Sequence, residues 1–418
     1  MAMQLPHALQ LAALGLMVAL LPLSVVWAST DDKVRKLVAV TLFLTFDLIV
    51  FGAFTRLTDS GLGCPDWPGC YGQANPFQAH ADISAAQAAM PSGPVTVAKA
   101  WIEMIHRYLA MAVGVLIVSL MLLAWRRWWR ARGTRLARPV AGSTAKPAEG
   151  PAAGPAAGHA SIVSPPWLPT FLFCFVCLQG AFGAWTVTLK LQPVIVTIHL
   201  LLGMGLLGLL TWLYSRQRTQ PALGASTLAL RTPARIALLL LVLQIALGGG
   251  VSTNYATLAC TDFPLCHGEL VPSMDFAHGF TLWRQLGKTA AGDYLPFSAL
   301  TAIHWVHRNF AFVVIAAVLW AARGALRVAA LRNLGLALIG AVGLQFLTGV
   351  ATIYLNWPLA LAVAHNAGAA LLVLLLVMLN YRAGSDRGNA YPALATAPGA
   401  TPPGKQHVPA FRPSKSSS

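Results

Sequence analysis

Runs of apolar residues long enough to cross a bilayer recur nine times along this chain, roughly over 8–28, 36–56, 101–124, 168–189, 193–214, 234–252, 298–322, 333–354 and 358–381. A helix needs ~20 such residues to span the hydrocarbon core. Lipid offers no partner to an open backbone N–H or C=O, so these runs must close their own hydrogen bonds as helices. Composition agrees, with 56% hydrophobic and only 10% charged residues, against about 25% charged in soluble domains. The expected fold is all-α, that of a polytopic membrane protein.

A net charge of +16 raises the question of nucleic acid. The placement of the charge answers against it. Basic residues cluster at Lys33, Arg35 and Lys36, from Arg126 to Arg138, from Arg216 to Arg235, from Arg323 to Arg332, and at Arg382 and Arg387. These clusters follow the odd-numbered runs, while the intervening loops carry few beyond Lys99, Lys190, Arg284 and Lys288. The bias of Lys and Arg toward the cytoplasmic side then sets the N-terminus outside and the C-terminus in the cytoplasm. The opening residues MAMQLPH hold no Lys or Arg, unlike a cleaved signal peptide, so the first run reads as a retained helix.

Two loops that this topology places outside are near copies. CPDWPGC runs from Cys64 to Cys70 and CTDFPLC from Cys260 to Cys266. At a constant spacing of 196 residues Gly52 matches Gly248, Asp66 matches Asp262, Trp67 matches Phe263, Pro68 matches Pro264, and Gly72 matches Gly268. An oxidising periplasm lets disulfides persist, and the prolines suit the tight turn each ring needs, so Cys64–Cys70 and Cys260–Cys266 are expected to be bridged. Two further matches follow in the same order. IEMIHRYLA, with His106, parallels IHWVHRNFA, with His307; LQGAFGAWTVTLKLQPVIVTIH, ending at His199, parallels LQFLTGVATIYLNWPLALAVAH, ending at His365.

Three ordered matches describe a duplicated four-helix unit. The expected organisation is an extra N-terminal helix over 1–35, a first repeat over 36–215, a second over 230–382, and a flexible cytoplasmic tail over 383–418. Each unit has an even number of helices, so the copies share one orientation about an axis along the membrane normal. The Ala-, Gly- and Pro-rich segment 139–166 reads as a flexible inner loop.

Four histidines occupy repeated positions: His106, His199, His307 and His365. Each lies five to ten residues inside a helix entered from the outer side, roughly 8–15 Å deep. Ionisable groups at such depth face the bundle interior. A single such histidine is satisfied by a hydrogen bond across helices. Two per copy, one from the second helix and one from the fourth, can instead grip a haem iron axially. Zinc lacks a further ligand at matching depth. Arg107 and Arg308 directly follow two of the ligands; each either meets a haem propionate or snorkels to the interface.

The copies differ three residues before the first ligand, where Glu103 stands in one and His304 in the other. An i, i+3 pair shares a helix face, so Glu103 is expected to look into the cavity of His106. A carboxylate there is costly unless used or paired. His304 reads as a hydrogen-bond partner or an interfacial residue. Cys174 and Cys177 form a CxxC inside a membrane helix, where apolar packing is the better account.

The strings GAFTRLTDSGLGCPDWPGCYG and EMIHR, with the two His-Arg helices and the late His199 and His365, resemble the haem A synthase family over about 36–381. The resemblance implies an oxidoreductase that converts haem O to haem A by oxidising the C8 methyl to a formyl group, through successive hydroxylations and loss of water. It implies haem O between His106 and His199, a permanent haem b between His307 and His365, Glu103 as the catalytic carboxylate, and a product delivered to haem-copper oxidases in the bacterial inner membrane. A haem O synthase and oxidase assembly factors are the implied partners; self-association stays open. The extra first helix, the long linker and His304 depart from the family pattern. Two other classes fit parts of the sequence: a membrane haem carrier without chemistry, and a haem-containing thiol oxidoreductase.

Overall fold

Each apolar run folds as a helix in the computed structural model, which describes residues 7–29, 32–136, 166–217, 223 and 227–384. The expected inner loop 139–166, Pro166 apart, and the tail beyond Gly384 lie outside these residues. The nine long helices are α1 (His7–Trp27), α2 (Lys33–Leu57), α4 (Val97–Leu136), α5 (Trp167–Thr188), α6 (Pro193–Arg216), α7 (Leu228–Thr253), α9 (Phe297–Leu326), α10 (Arg332–Tyr354) and α11 (Leu359–Gly384). Two short helices, α3 (His80–Ala89) and α8 (Phe276–Gly279), lie in the long loops before α4 and α9. Among the described residues all nine long helices are apolar enough to cross a membrane.

Local chemistry sets their ends and quiets their polar groups. Asp32 caps α2 by accepting from Val34 N–H at 3.0 Å, and Pro193 opens α6 where its missing N–H costs nothing. Thr41 and Thr45 return their hydroxyls to the carbonyls of Leu37 and Thr41, each at 2.7 Å. α4 runs well past its expected end near residue 124. The added turns hold an interfacial aromatic cluster: Trp125 donates to Thr170 Oγ1 at 3.0 Å, and the Arg132 guanidinium lies 3.9 Å over Trp128.

The helices close into two rings. In the first, α2 packs on α4, α4 on α5, α5 on α6, and α6 back on α2; in the second, α7, α9, α10 and α11 repeat that circuit. The rings meet through α2 with α11, α6 with α7, and α6 with α11, a set that exchanging the copies leaves unchanged. α1 stands outside, against α4 and α2.

The duplication reaches the backbone. Every described non-glycine residue with positive φ has a counterpart at the matching place: Asp59 and Tyr255, Tyr71 and His267, Lys190 and Asn356, Leu191 and Trp357. At the ring junction, matched positions touch one another. Arg56 donates to the Ser252 carbonyl at 2.6 Å and Tyr255 donates to Asp59 Oδ1 at 2.7 Å, both across 196 residues.

Candidate functional site

Within each ring, two helices bring histidines and the other two bring glycines. His106 on α4 faces Gly52 on α2, where an added Cβ would stand 2.9 Å from the imidazole Nε2. His199 on α6 faces Gly183 on α5, with the same test giving 3.2 Å. In the second ring His307 faces Gly248 at 2.9 Å and His365 faces Gly349 at 3.1 Å. Alanine at any of the four would press on an imidazole, which would have to shift at Gly52 and Gly248 and give by a few tenths of an ångström at Gly183 and Gly349. His106 and His199 lie within electrostatic reach of each other, as do His307 and His365. Each ring stays partly exposed.

Around these rings sit buried polar atoms with no hydrogen-bond partner: His199 Nδ1, Arg308 Nη1, and the Oε1 atoms of Gln179, Gln244 and Gln345. Buried polar groups are normally satisfied, so this concentration beside four paired imidazoles marks places where a polar ligand fits. Nitrogen donors in pairs, glycine-lined helices and a spare guanidinium N–H would suit a haem with acidic side groups.

The two cysteine loops cap the same end of the rings. Cys64–Cys70 and Cys260–Cys266 are bridged, each with Cα atoms 4.9 Å apart. In both loops an aspartate collects the following turn. Asp66 accepts from Tyr71 N–H and Gly72 N–H at 2.7 and 2.6 Å, and Asp262 from His267 N–H and Gly268 N–H at 2.7 and 2.9 Å. The turn needs left-handed backbone, φ 70° at Gly72 and 77° at Gly268, which glycine adopts without penalty. The peptide bond before Pro68 and before Pro264 is cis.

Arg107 and Arg308 tie these loops to the histidine helices. Arg107 Nη1 donates to the carbonyls of Asp66, Pro68 and Gly69, and its Nη2 to Glu103. Arg308 Nη2 donates to the carbonyls of Asp262 and Leu265 at 2.8 and 3.0 Å. Both guanidinium groups therefore turn inward to the loops rather than snorkelling. Arg308 alone keeps a buried, unpartnered nitrogen. Glu103, 4% exposed, accepts from Cys64 N–H at 2.8 Å and pairs with Arg107. Its carboxylate thus turns to the cysteine loop and Arg107, and the expected approach to the cavity of His106 is not among its contacts, because the loop N–H and the guanidinium satisfy the buried charge first. His304 occupies the matching place and accepts from Cys260 N–H at 3.2 Å; at 5% exposure it is a buried partner, not an interfacial one. Cys174 and Cys177 are free and exposed on α5.

The model of the family described as cytochrome oxidase assembly protein (COX15-CtaA) matches residues 35–377. The chain belongs to this family. The match starts inside α2 and ends inside α11, leaving α1 outside it. A protein of Shewanella oneidensis named heme A synthase is 37% identical over 82% of this chain and 95% of its own length. Proteins of the same name from Methylobacterium sp. strain 4-46 and Caulobacter vibrioides are 29% and 28% identical, over 88% and 84% of this chain and 98% and 97% of theirs. The resemblance to the haem A synthase family thus extends over the whole duplicated core.

In this member of the cytochrome oxidase assembly protein family, both bridges form as the sequence led one to expect, and the four histidines stand in facing pairs. Sequence reading missed the glycines as partners of the rings. Gly52 and Gly248 were aligned, and Gly183 and Gly349 hold equivalent places in the second match, so the signal was present. It also missed Gln244 and Thr348, which hydrogen-bond His307 and His365. Neither position repeats, and only a difference between the copies could have pointed to them.

Proposed function

We propose that this chain is a haem A synthase, an oxidoreductase of the membrane that converts haem O to haem A for haem-copper oxidases. The observation that carries the reading is the doubled arrangement of two glycine-backed imidazoles per ring, each pair within electrostatic reach. The first ring would hold haem O between His106 and His199, and the second a resident haem b between His307 and His365. Bound haem supplies the redox-active iron.

The chain's own residues orient and shield the substrate. Glu103 is the carboxylate nearest in sequence to a ligand, and burial makes its charge expensive to hold idle even with Arg107 offsetting part of that cost. It would stabilise positive charge or carry a proton as the C8 methyl is oxidised by successive hydroxylations. Arg308, with one nitrogen uncommitted, suits a propionate of the second haem; Arg107, fully engaged by Glu103 and the loop, suits a role in holding the Glu103 carboxylate. The charge bias of the loops supports a bacterial inner-membrane orientation with the cysteine loops in the periplasm, the N-terminus outside and the C-terminus in the cytoplasm.

Reverse-phase separation of haems extracted from membranes tests the assignment. Glu103→Ala should retain haem b and yield no haem A, with haem O accumulating. Normal haem A output from that variant would overturn the catalytic role of Glu103. Unchanged haem O in the presence of wild-type protein would favour a carrier.

A further inference from the structure

The four imidazoles are not held alike. In the second ring Thr348 Oγ1 lies 3.0 Å from His365 Nδ1 and 3.0 Å from the Gln345 carbonyl oxygen. A carbonyl only accepts, so the hydroxyl proton goes to Gln345 and a lone pair of Oγ1 is left to receive a proton from Nδ1. The arrangement that satisfies both contacts selects one tautomer. Nδ1 carries the hydrogen and Nε2 keeps its lone pair, the form an imidazole needs to bind iron through Nε2. Gln345 Nε2, 3.3 Å from His365 Nε2, donates to that lone pair here and must yield it when iron binds. Across the ring Gln244 holds the other ligand. Its amide nitrogen donates to the His307 carbonyl at 3.0 Å and lies 3.2 Å from His307 Nδ1.

The first ring has the same helices and the same glycines but lacks these partners. The repeat spacing puts Phe182 where the second ring has Thr348, and Leu48 where it has Gln244. Neither side chain can hydrogen-bond a ring nitrogen. His199 has the Gln179 carbonyl near its ring, but its buried Nδ1 makes no well-formed hydrogen bond. His365 has the equivalent carbonyl, from Gln345, and the hydroxyl besides.

We propose that Thr348 is a positioning residue that latches His365 as a ligand of a permanently held haem in the second ring, and that Phe182 leaves the first ring unlatched so that its haem can enter and leave. The inference rests on the reading of the four histidines as haem ligands. Partners of a ligating histidine orient it and raise its basicity. A resident cofactor needs that hold; a substrate that must depart as product does not.

The test uses the purified full-length chain in detergent. Haem b loss is followed by transfer to apomyoglobin, and the midpoint potential by redox titration. Thr348→Val keeps the side-chain shape and removes the hydroxyl. Haem should then leave about tenfold faster, and the potential should rise because a less basic imidazole stabilises ferric iron less. Thr348→Ser should restore both, which a general folding defect would not permit. Phe182→Thr, loaded with ferric haem b and desalted, should retain more haem per chain than wild type. Unchanged rate and potential in Thr348→Val, with haem lost from His365→Ala, would overturn the latch alone. Full haem retention in His365→Ala would overturn the ligand assignment and the latch with it.

Discussion

The two cysteine loops follow one plan and are closed by different chemistry. In the first, the Cys64 N–H is received by a carboxylate, Glu103; in the second, the Cys260 N–H is received by an imidazole, His304. The bridges, the aspartate-collected turns and the arginine held by loop carbonyls are otherwise the same. A neutral nitrogen is therefore enough for the structural task. A buried carboxylate is costlier than an imidazole, and the first loop offsets that cost with a paired Arg107. The difference teaches that the charge at position 103 exceeds what closing the loop requires, which is the physical reason to assign it chemistry.

Glu103→His puts the second loop's solution into the first and sharpens the comparison most. The variant should fold, keep both disulfides and retain haem b, while haem A formation falls by about a hundredfold or more, as for loss of a proton-transferring group. Haem extraction and haem b content read both halves of the expectation. Undiminished haem A would mean that the carboxylate only closes the loop.

The arginines should separate the loops by stability. Removing Arg107 strands a buried carboxylate, a change that costs about 3–5 kcal/mol. Removing Arg308 forfeits carbonyl hydrogen bonds beside an imidazole, about 1.5–3 kcal/mol for bonds to a charged donor. Thermal unfolding of Arg107→Ala and Arg308→Ala in detergent should rank them in that order. Equal losses would place the Glu103–Arg107 pair on the same footing as the uncharged loop.

Much of this was legible in the chain before any coordinates. Membrane spans are written as unbroken apolar runs because lipid forces every backbone group into a helix, and all nine spans stand among the described residues where expected. The repeat was legible because its tightest constraints, the cysteine rings, the prolines and the deep histidines, tolerate little change. The end of α4 was misjudged because hydropathy stops at the interface while helix-forming Trp and Arg carry the helix on. The partners of the site were harder. Small side chains at helix contacts are common in membranes, so nothing in the sequence beyond their repetition tied Gly183 and Gly349 to an imidazole. Thr348 and Gln244 were invisible because what matters about them is that Phe182 and Leu48 differ.

The smallest effect should appear in acid, at the turn of the second loop. Hydrogen bonds from Gly268 N–H and then His267 N–H hold the Asp262 carboxyl below its ordinary value of 3.8. A carboxylate whose folded pKa is depressed contributes stability above its unfolded pKa and loses it as pH falls through the folded one. Amide exchange at His267 and Gly268, corrected for intrinsic rate, should therefore stay constant from neutral pH down to about 4 and quicken only below that. Asp262→Asn keeps an acceptor without a charge. Its protection should be weaker at neutral pH and flat through the acid range. A wild-type turn that loosened well above 4 would mean that something other than this carboxylate holds it, and the likeness between the two aspartate-collected turns would no longer explain their shared shape.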